Sequence, residues 1–299
     1  MHLIDVDTFE LREFTPVNLP RYAILSHTWG DDEVTFQDMK SARSSQTNSK
    51  KGFQKLRYTC EEAKRQDFQW AWVDTCCIDK SSSAELSEAI NSMFNWYRDS
   101  SICFAYLSDA PNDSRPGAVD SPFLRSRWFK RGWTLQKLIA PGNVRFYSEG
   151  WTYLGDRYRL CGLIENITRI PSQLLVGIKR VHHYSVAQRM SWASNRETTR
   201  LEDRAYSLLE LFDINMPLLY GEGTKAFQRL QEEIVKQTDD HSLFAWTVPA
   251  SSRKAWRLHR VLAESPDEFD DCQKVSVLHE EIGEPSLMTK KGLQITAPM

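Results

Sequence analysis

The stretch Ser126 to Pro141, SRWFKRGWTLQKLIAP, sets two tryptophans, a phenylalanine and three basic residues (Arg127, Lys130, Arg131) within ten positions. It then runs into a short helix that Pro141 and Gly142 stop. Trp133 and Lys137 are four apart and Gln136 lies three along from Trp133, so all three share one helix face. Such a face either builds part of a site or packs Trp133 and Leu138 into a core while Arg131 and Lys137 stay in solvent. A second set of reactive types sits where apolar runs end. Ser26, His27 and Trp29 follow YAIL, Asp74 and Asp79 follow FQWAWV, and Ser108 and Asp109 follow ICFAYL. Singly these are turn formers or an ordinary structural histidine. Clustered at one end of three strands, they are the groups that would meet a ligand.

The elements that must position them alternate. Tyr22–Thr28, Phe68–Asp74, Ile102–Leu107 and Asn143–Tyr147 read as short buried strands. Between them lie a helix from about Lys51, with Phe53, Leu56, Cys60 and Ala63 at steps of three and four, and a helix carrying Leu86, Ala89, Ile90, Met93, Phe94 and Tyr97. Ser82 and Glu85 fit a capping box at the start of the second helix. Residues 41–50 and 110–122 read as loops. This order argues a parallel sheet flanked by helices, and ligands of such sheets bind beyond the carboxyl ends of the strands. The second half is mainly helical: 157–167, Ser185–Ala193, Glu202–Phe212 and Gly223–Lys236. Gly292–Thr296 supplies a peripheral strand.

Composition excludes several classes. The 299 residues suit one large domain or two small ones, with 41% hydrophobic and 26% charged residues as in soluble globular proteins. A net charge of -2 gives no basic surface for nucleic acid or an anionic membrane. No apolar run approaches the roughly 20 residues of a membrane span, and MHLIDVDTFELREF lacks a signal core. The six cysteines (60, 76, 77, 103, 161, 272) show no metal spacing, so reduced thiols in a cytoplasmic protein are expected. His182 and His183 lack a third ligand at metal spacing. Gly221-Glu222-Gly223 is not a phosphate loop, and no GxGxxG follows the first strand.

YAILSHTWG, WVDTCCID and RGWTLQ, in this order and spacing, resemble the fungal heterokaryon incompatibility (HET) domain. NRETTRLEDRAYSLLELFDINMPLLYGEG looks like the continuation seen in that family, so the resemblance covers roughly residues 1–246. It implies a part in self/non-self recognition and programmed cell death in filamentous fungi. Members often place the domain at the N-terminus of a nucleotide-binding receptor with repeats behind it, so the partner expected here is such a module in the same or another chain. More distantly, the order of strands and helices is similar to TIR domains, and SRWFKRGWTLQKL looks like the TIR pattern of Ser, then Trp-Cys-x-x-Glu-Leu. In TIR enzymes that glutamate cleaves the nicotinamide–ribose bond of NAD, and it falls on position 137. HET sequences usually carry Glu there as well; here it is Lys137.

The resemblance therefore implies a TIR-like α/β core over 1–150, a helical remainder over 151–246 and a C-terminal extension over 247–299 packing on it. It implies an NAD(P) glycohydrolase that uses NAD or NADP as substrate, holds no cofactor or metal, and is switched by self-association. Lys137 takes the catalytic position, with Ser26, His27, Trp29, Asp74, Asp79, Arg131 and Trp133 as substrate-binding candidates. Trp29 and Trp133 would stack on the nicotinamide or adenine ring, Arg131 would hold the pyrophosphate, and Asp74 and Asp79 the ribose hydroxyls. An ammonium at 137 repels a pyridinium and the cation it leaves behind, so the chain as written is expected to be inactive, either detoxified or a natural pseudoenzyme. The alternative is a non-catalytic death module that acts by oligomerising.

Overall fold

The segment YAILSH, β3 (Tyr22–His27), is buried along its whole length, which only a strand covered on both faces achieves. In the computed structural model it lies at the centre of a seven-stranded sheet ordered β2-β1-β4-β3-β5-β6-β7. The other strands are β1 (His2–Asp5), β2 (Leu11–Glu13), β4 (Trp70–Trp72), β5 (Ile102–Tyr106), β6 (Val144–Tyr147) and β7 (Tyr153–Asp156). The structure describes residues 1–41, 45–248, 261–277, 287–289 and 292–294.

The four expected strands form the parallel centre, with β3 paired to β4 and β5, and β5 to β6. Antiparallel edges flank it: β1 joins β4 and β2, and β7 joins β6. The sheet is thus mixed rather than purely parallel. The strand order reverses at β3, and the crevice beyond its carboxyl end is where open sheets of this kind bind ligands.

Two long crossovers set that crevice. The helix Lys51–Arg65 leads from β3 to β4 and buries Leu56, Cys60 and Ala63. The helix Ser83–Asp99 leads from β4 to β5 and buries Ala89, Ile90, Met93 and Tyr97, with Phe94 half-buried. Its capping box is half-formed. Ser82 Oγ accepts the Glu85 N–H at 3.3 Å, but the Glu85 carboxylate accepts the Asp79 N–H at 3.0 Å instead of closing the box. The expected loop at 41–50 contains a short helix, Ser45–Ser49.

The chain divides into two compact units, residues 1–129 with 137–167, and residues 130–136 with 168–299. The seven-stranded sheet belongs to the first. The second is mainly helical, with Val186–Ser191 and Lys225–Gln237 among its helices. The helix expected over Glu202–Phe212 breaks into Asp203–Tyr206 and a 3₁₀ turn, Leu209–Leu211. Gly292–Gln294 pairs with Leu287–Thr289 in a separate hairpin, and residues 295 and 296 lie outside the described residues. Among the described residues no helix is long and apolar enough to cross a membrane.

Candidate functional site

The cluster at the carboxyl end of the sheet centres on Asp74, two residues beyond β4. Its Oδ1 accepts the His27 Nε2–H at 2.9 Å and the Trp29 indole N–H at 3.1 Å. Its Oδ2 accepts from Lys137 Nζ at 2.7 Å. The Asp74 and Lys137 side chains are 4% and 3% exposed, so this is a buried ion pair. Burial alone would push the Asp74 carboxyl up, but the Lys137 and His27 neighbours hold it well below its usual range.

The helix Lys51–Arg65 supplies the other side. It has no side-chain cap of its own; Asp32 does that work, its carbonyl accepting the Gly52 N–H at 2.8 Å and its carboxylate the Lys51 N–H at 2.9 Å. A Cβ on Gly52 would stand 2.9 Å from Asp32 O and Glu33 Cα, so glycine permits this close approach. Docked there, the loop aims the Glu33 carboxylate at Lys55, with which it makes a short ion pair, and at the Gly30 N–H at 2.6 Å.

Lys55 Nζ in turn lies 2.9 Å from His27 Nδ1. An ammonium only donates, so Nδ1 must be the unprotonated nitrogen and Nε2 must carry the hydrogen given to Asp74. Burial, reinforced by the Lys55 charge, pushes the His27 pKa down, which keeps that neutral tautomer. Below it runs a buried relay: the Trp128 indole N–H donates to Ser26 Oγ at 3.1 Å, Ser26 bonds the Tyr97 hydroxyl, and that hydroxyl donates to Leu25 O at 2.7 Å.

Trp29 forms the rim, 51% exposed. One face of its indole carries the Lys80 ammonium, 3.4 Å from the ring centroid, and burial lowers the Lys80 pKa. The Lys137 ammonium lies 5.4 Å from the Tyr97 ring centroid. Around Asp74 the site is therefore a carboxylate and two aromatic rings set against the Lys137 and Lys80 ammonium groups, both supplied by the chain itself.

Of the sequence candidates, Ser26, His27, Trp29, Asp74 and Lys137 come together. Lys137 is not solvated, as a packing helix would leave it, but buried. Asp79 is half-buried and spends its carboxylate on the Ser81 N–H (2.9 Å) and hydroxyl (2.6 Å), fixing the turn after β4. Arg131 and Trp133 belong to the second unit and bond within it, Arg131 Nη2 to Thr199 Oγ1 at 3.0 Å and the half-buried Trp133 to the Asp203 carboxylate. Sequence reasoning missed Glu33, Lys55, Lys80 and Tyr97. Lys55 carried no signal, since a lysine beside Leu56 on an amphipathic helix reads as surface.

A cavity of about 820 Å³ opens in the first unit, but none of the clustered residues lines it. Its walls come from the Lys51–Arg65 helix, β6, β7, the turn between those strands and the residues that flank them, Asn143, Tyr158 and Arg159.

Residues 22–123 match the family model for the heterokaryon incompatibility protein (HET), and residues 225–293 match a domain of unknown function (DUF8212). The first match takes in Ser26, His27, Trp29 and Asp74 and ends before Lys137. The vegetative incompatibility protein HET-E-1 of Podospora anserina is 49% identical over 225 residues, which is 73% of this chain and 16% of that protein. The chain thus corresponds to a small part of that relative's length. No solved structure matches the chain.

Proposed function

The chain belongs to the HET domain family, and on that premise we propose that it is a cell-death effector domain of vegetative incompatibility with a TIR-like core. Its strand-end cluster would be the place where a form bearing glutamate at 137 cleaves the nicotinamide–ribose bond of NAD or NADP. In this chain the same cluster is held closed. The observation that supports both halves is the Lys137–Asp74 ion pair at 2.7 Å, buried beside the Tyr97 ring.

A glutamate at 137 would face the Asp74 carboxylate in a site that excludes water. Two such carboxylates need a cation between them, and a pyridinium ring supplies one. On cleavage the C1′–N bond breaks and its electron pair returns to the ring as neutral nicotinamide. The positive charge then sits on the ribosyl carbon, where adjacent carboxylates stabilise it until water adds and loses a proton. Lys137 places a covalently tethered cation where that charge would develop, and it satisfies Asp74 permanently.

A second reading, a non-catalytic module that signals by self-association, draws support from the burial of the cluster. One experiment separates the two: nicotinamide release from NAD and NADP by the purified chain and by Lys137→Glu, at high protein concentration. Release by the glutamate form alone is expected. Turnover by the lysine form would sink the proposal, and a folded, self-associated but silent glutamate form would favour the non-catalytic module.

A further inference from the structure

The cavity on the other flank of the sheet has a chemistry of its own. Tyr147, Trp151, Tyr153 and Tyr158 line it together with Arg65, Arg145 and Arg159. Glu62 and Asp156 are its carboxylates, so three arginines face two acids and the wall carries one excess positive charge. Glu62 is engaged by Arg65 Nη1 at 2.8 Å and by the Tyr147 hydroxyl at 3.0 Å, and Asp156 by the Tyr153 hydroxyl at 3.0 Å and Arg159 Nε at 3.5 Å. Arg145 has no carboxylate within 4.0 Å among the described residues; its side-chain partner is the Tyr147 phenol. It is the uncompensated cation of the wall.

The aromatic half is built rather than incidental. Asn112 pins the turn after β6, its Oδ1 accepting from Ser148 Oγ at 2.7 Å and from the Gly150 N–H at 2.9 Å. That turn holds Trp151 at a φ of 66°, a left-handed conformation a bulky residue rarely takes. The result is a Trp151 ring stacked on Tyr147 with centroids 4.8 Å apart and on Tyr58 at 5.6 Å. Trp151 is 8% exposed, and its indole N–H is buried without a hydrogen-bond partner among the described residues. A buried donor left unmade costs stability, which the stacking of the Trp151 ring must offset. At the mouth, Tyr158 is 72% exposed and offers a free ring beside Arg159.

Exposed rings at Tyr153 and Tyr158 beside an uncompensated guanidinium, around a space of about 820 Å³, are what a small ligand with an aromatic base and an anionic group requires. We propose that this groove is a binding site for a nucleoside phosphate, its base stacked on the tyrosines and its phosphate on Arg145 and Arg159. The site shares no residue with the Asp74 cluster, so it is a second site and stands or falls independently of the NAD(P) reading.

The test is calorimetric titration of ADP, adenosine and inorganic phosphate into the full chain and into Arg145→Gln and Tyr158→Ala. The expected result is ADP binding at least about tenfold tighter than either fragment, weakened about tenfold or more by Arg145→Gln and by Tyr158→Ala. Tyr158 is exposed, so its variant keeps the test decisive if Arg145→Gln fails to fold. Absence of ADP binding at millimolar concentration overturns the proposal. So does phosphate binding as tightly as ADP, or ADP binding insensitive to Tyr158→Ala.

Discussion

Replacing Lys137 by glutamate reverses the sign of one charge inside a buried pair, and the consequence for stability can be worked from the geometry. At roughly 4 Å between charge centres and an effective dielectric near 20, the Lys137–Asp74 attraction amounts to about 4 kcal/mol, and it is lost. The two carboxylates then in contact cannot both stay ionised, so one takes up a proton. Holding a glutamic acid of ordinary pKa near 4.3 protonated at pH 7 costs roughly 3–4 kcal/mol, at about 1.4 kcal/mol per pH unit. The acid pair therefore has a folded pKa raised above the unfolded one. Its cost shrinks as pH falls and is gone near the unfolded value. The parent behaves oppositely. His27 has a folded pKa below 6.5, so below that pH the unfolded state binds the extra proton and stability declines as acid is added. Thermal melts followed by circular dichroism from about pH 8 to about pH 5 are expected to isolate the acid pair as a difference between the two proteins, since both keep His27. The glutamate variant melts well below the parent at neutral pH and closes the gap on acidification. Lys137→Met, which removes one partner and leaves Asp74 with two donors, is expected to cost about 3–5 kcal/mol without that narrowing of the gap. A glutamate variant whose melting point and pH slope match the parent's would refute the ion pair and all that rests on it.

Three further outcomes follow from other contacts of the two units, each taken by itself. His27→Asn removes the group whose depressed pKa drives the acid-side loss, so the decline of up to about 1.4 kcal/mol per pH unit below roughly pH 6.5 should flatten in denaturant melts taken at several pH values. Gly52→Ala would ordinarily gain up to about 1 kcal/mol in a helix. Here its Cβ meets Asp32 O and Glu33 Cα at 2.9 Å, and a net loss of about 1–3 kcal/mol is expected in urea titration. Arg196, buried in the second unit, donates to Trp192 O at 2.9 Å and Arg131 O at 3.0 Å, and burial draws its pKa down to about 9. Lysine cannot span both carbonyls, so Arg196→Lys should cost about 1–3 kcal/mol in the same titration.

The parallel centre was legible because β3 to β6 are apolar runs bounded by polar breaks, and the two long helices because their apolar stripes are broad. β7, with sequence YLGD, and β1, with HLID, carry too few apolar residues to stand out; each forms because a neighbouring strand offers it an edge. The Glu202–Phe212 helix broke where the Leu208 N–H bonds Ala205 O at 2.8 Å, a three-residue step that periodicity does not register. Residue types at strand ends singled out His27 and Asp74 as candidates, and the structure brings the two into contact. Pairing across the fold was invisible: Lys137 and Asp74 are 63 positions apart, and Lys55 and His27 are 28. A lone lysine in a sequence reads as solvated until the carboxylate that buries it is known.

On the proposed function, the same pair would couple protonation to ligand binding. If a glutamate form spends free energy on holding two acids together, a cation that enters between them recovers it, and such a ligand binds the folded state alone. Stabilisation by ligand follows RT ln(1 + [L]/Kd), about 2.7 kcal/mol at a hundredfold excess over Kd. A non-cleavable pyridinium dinucleotide should therefore raise the melting point of Lys137→Glu, and more at neutral pH, where both carboxylates demand charge, than near pH 5. The parent should show no such shift, because Lys137 already fills the position. Its reduced counterpart, which carries a neutral dihydropyridine ring, should stabilise neither form through this site. An equal shift with the oxidised and reduced ligands would mean that the ring's charge is not what the cluster reads, and Lys137 would then be a packing residue rather than a tethered stand-in for the substrate cation.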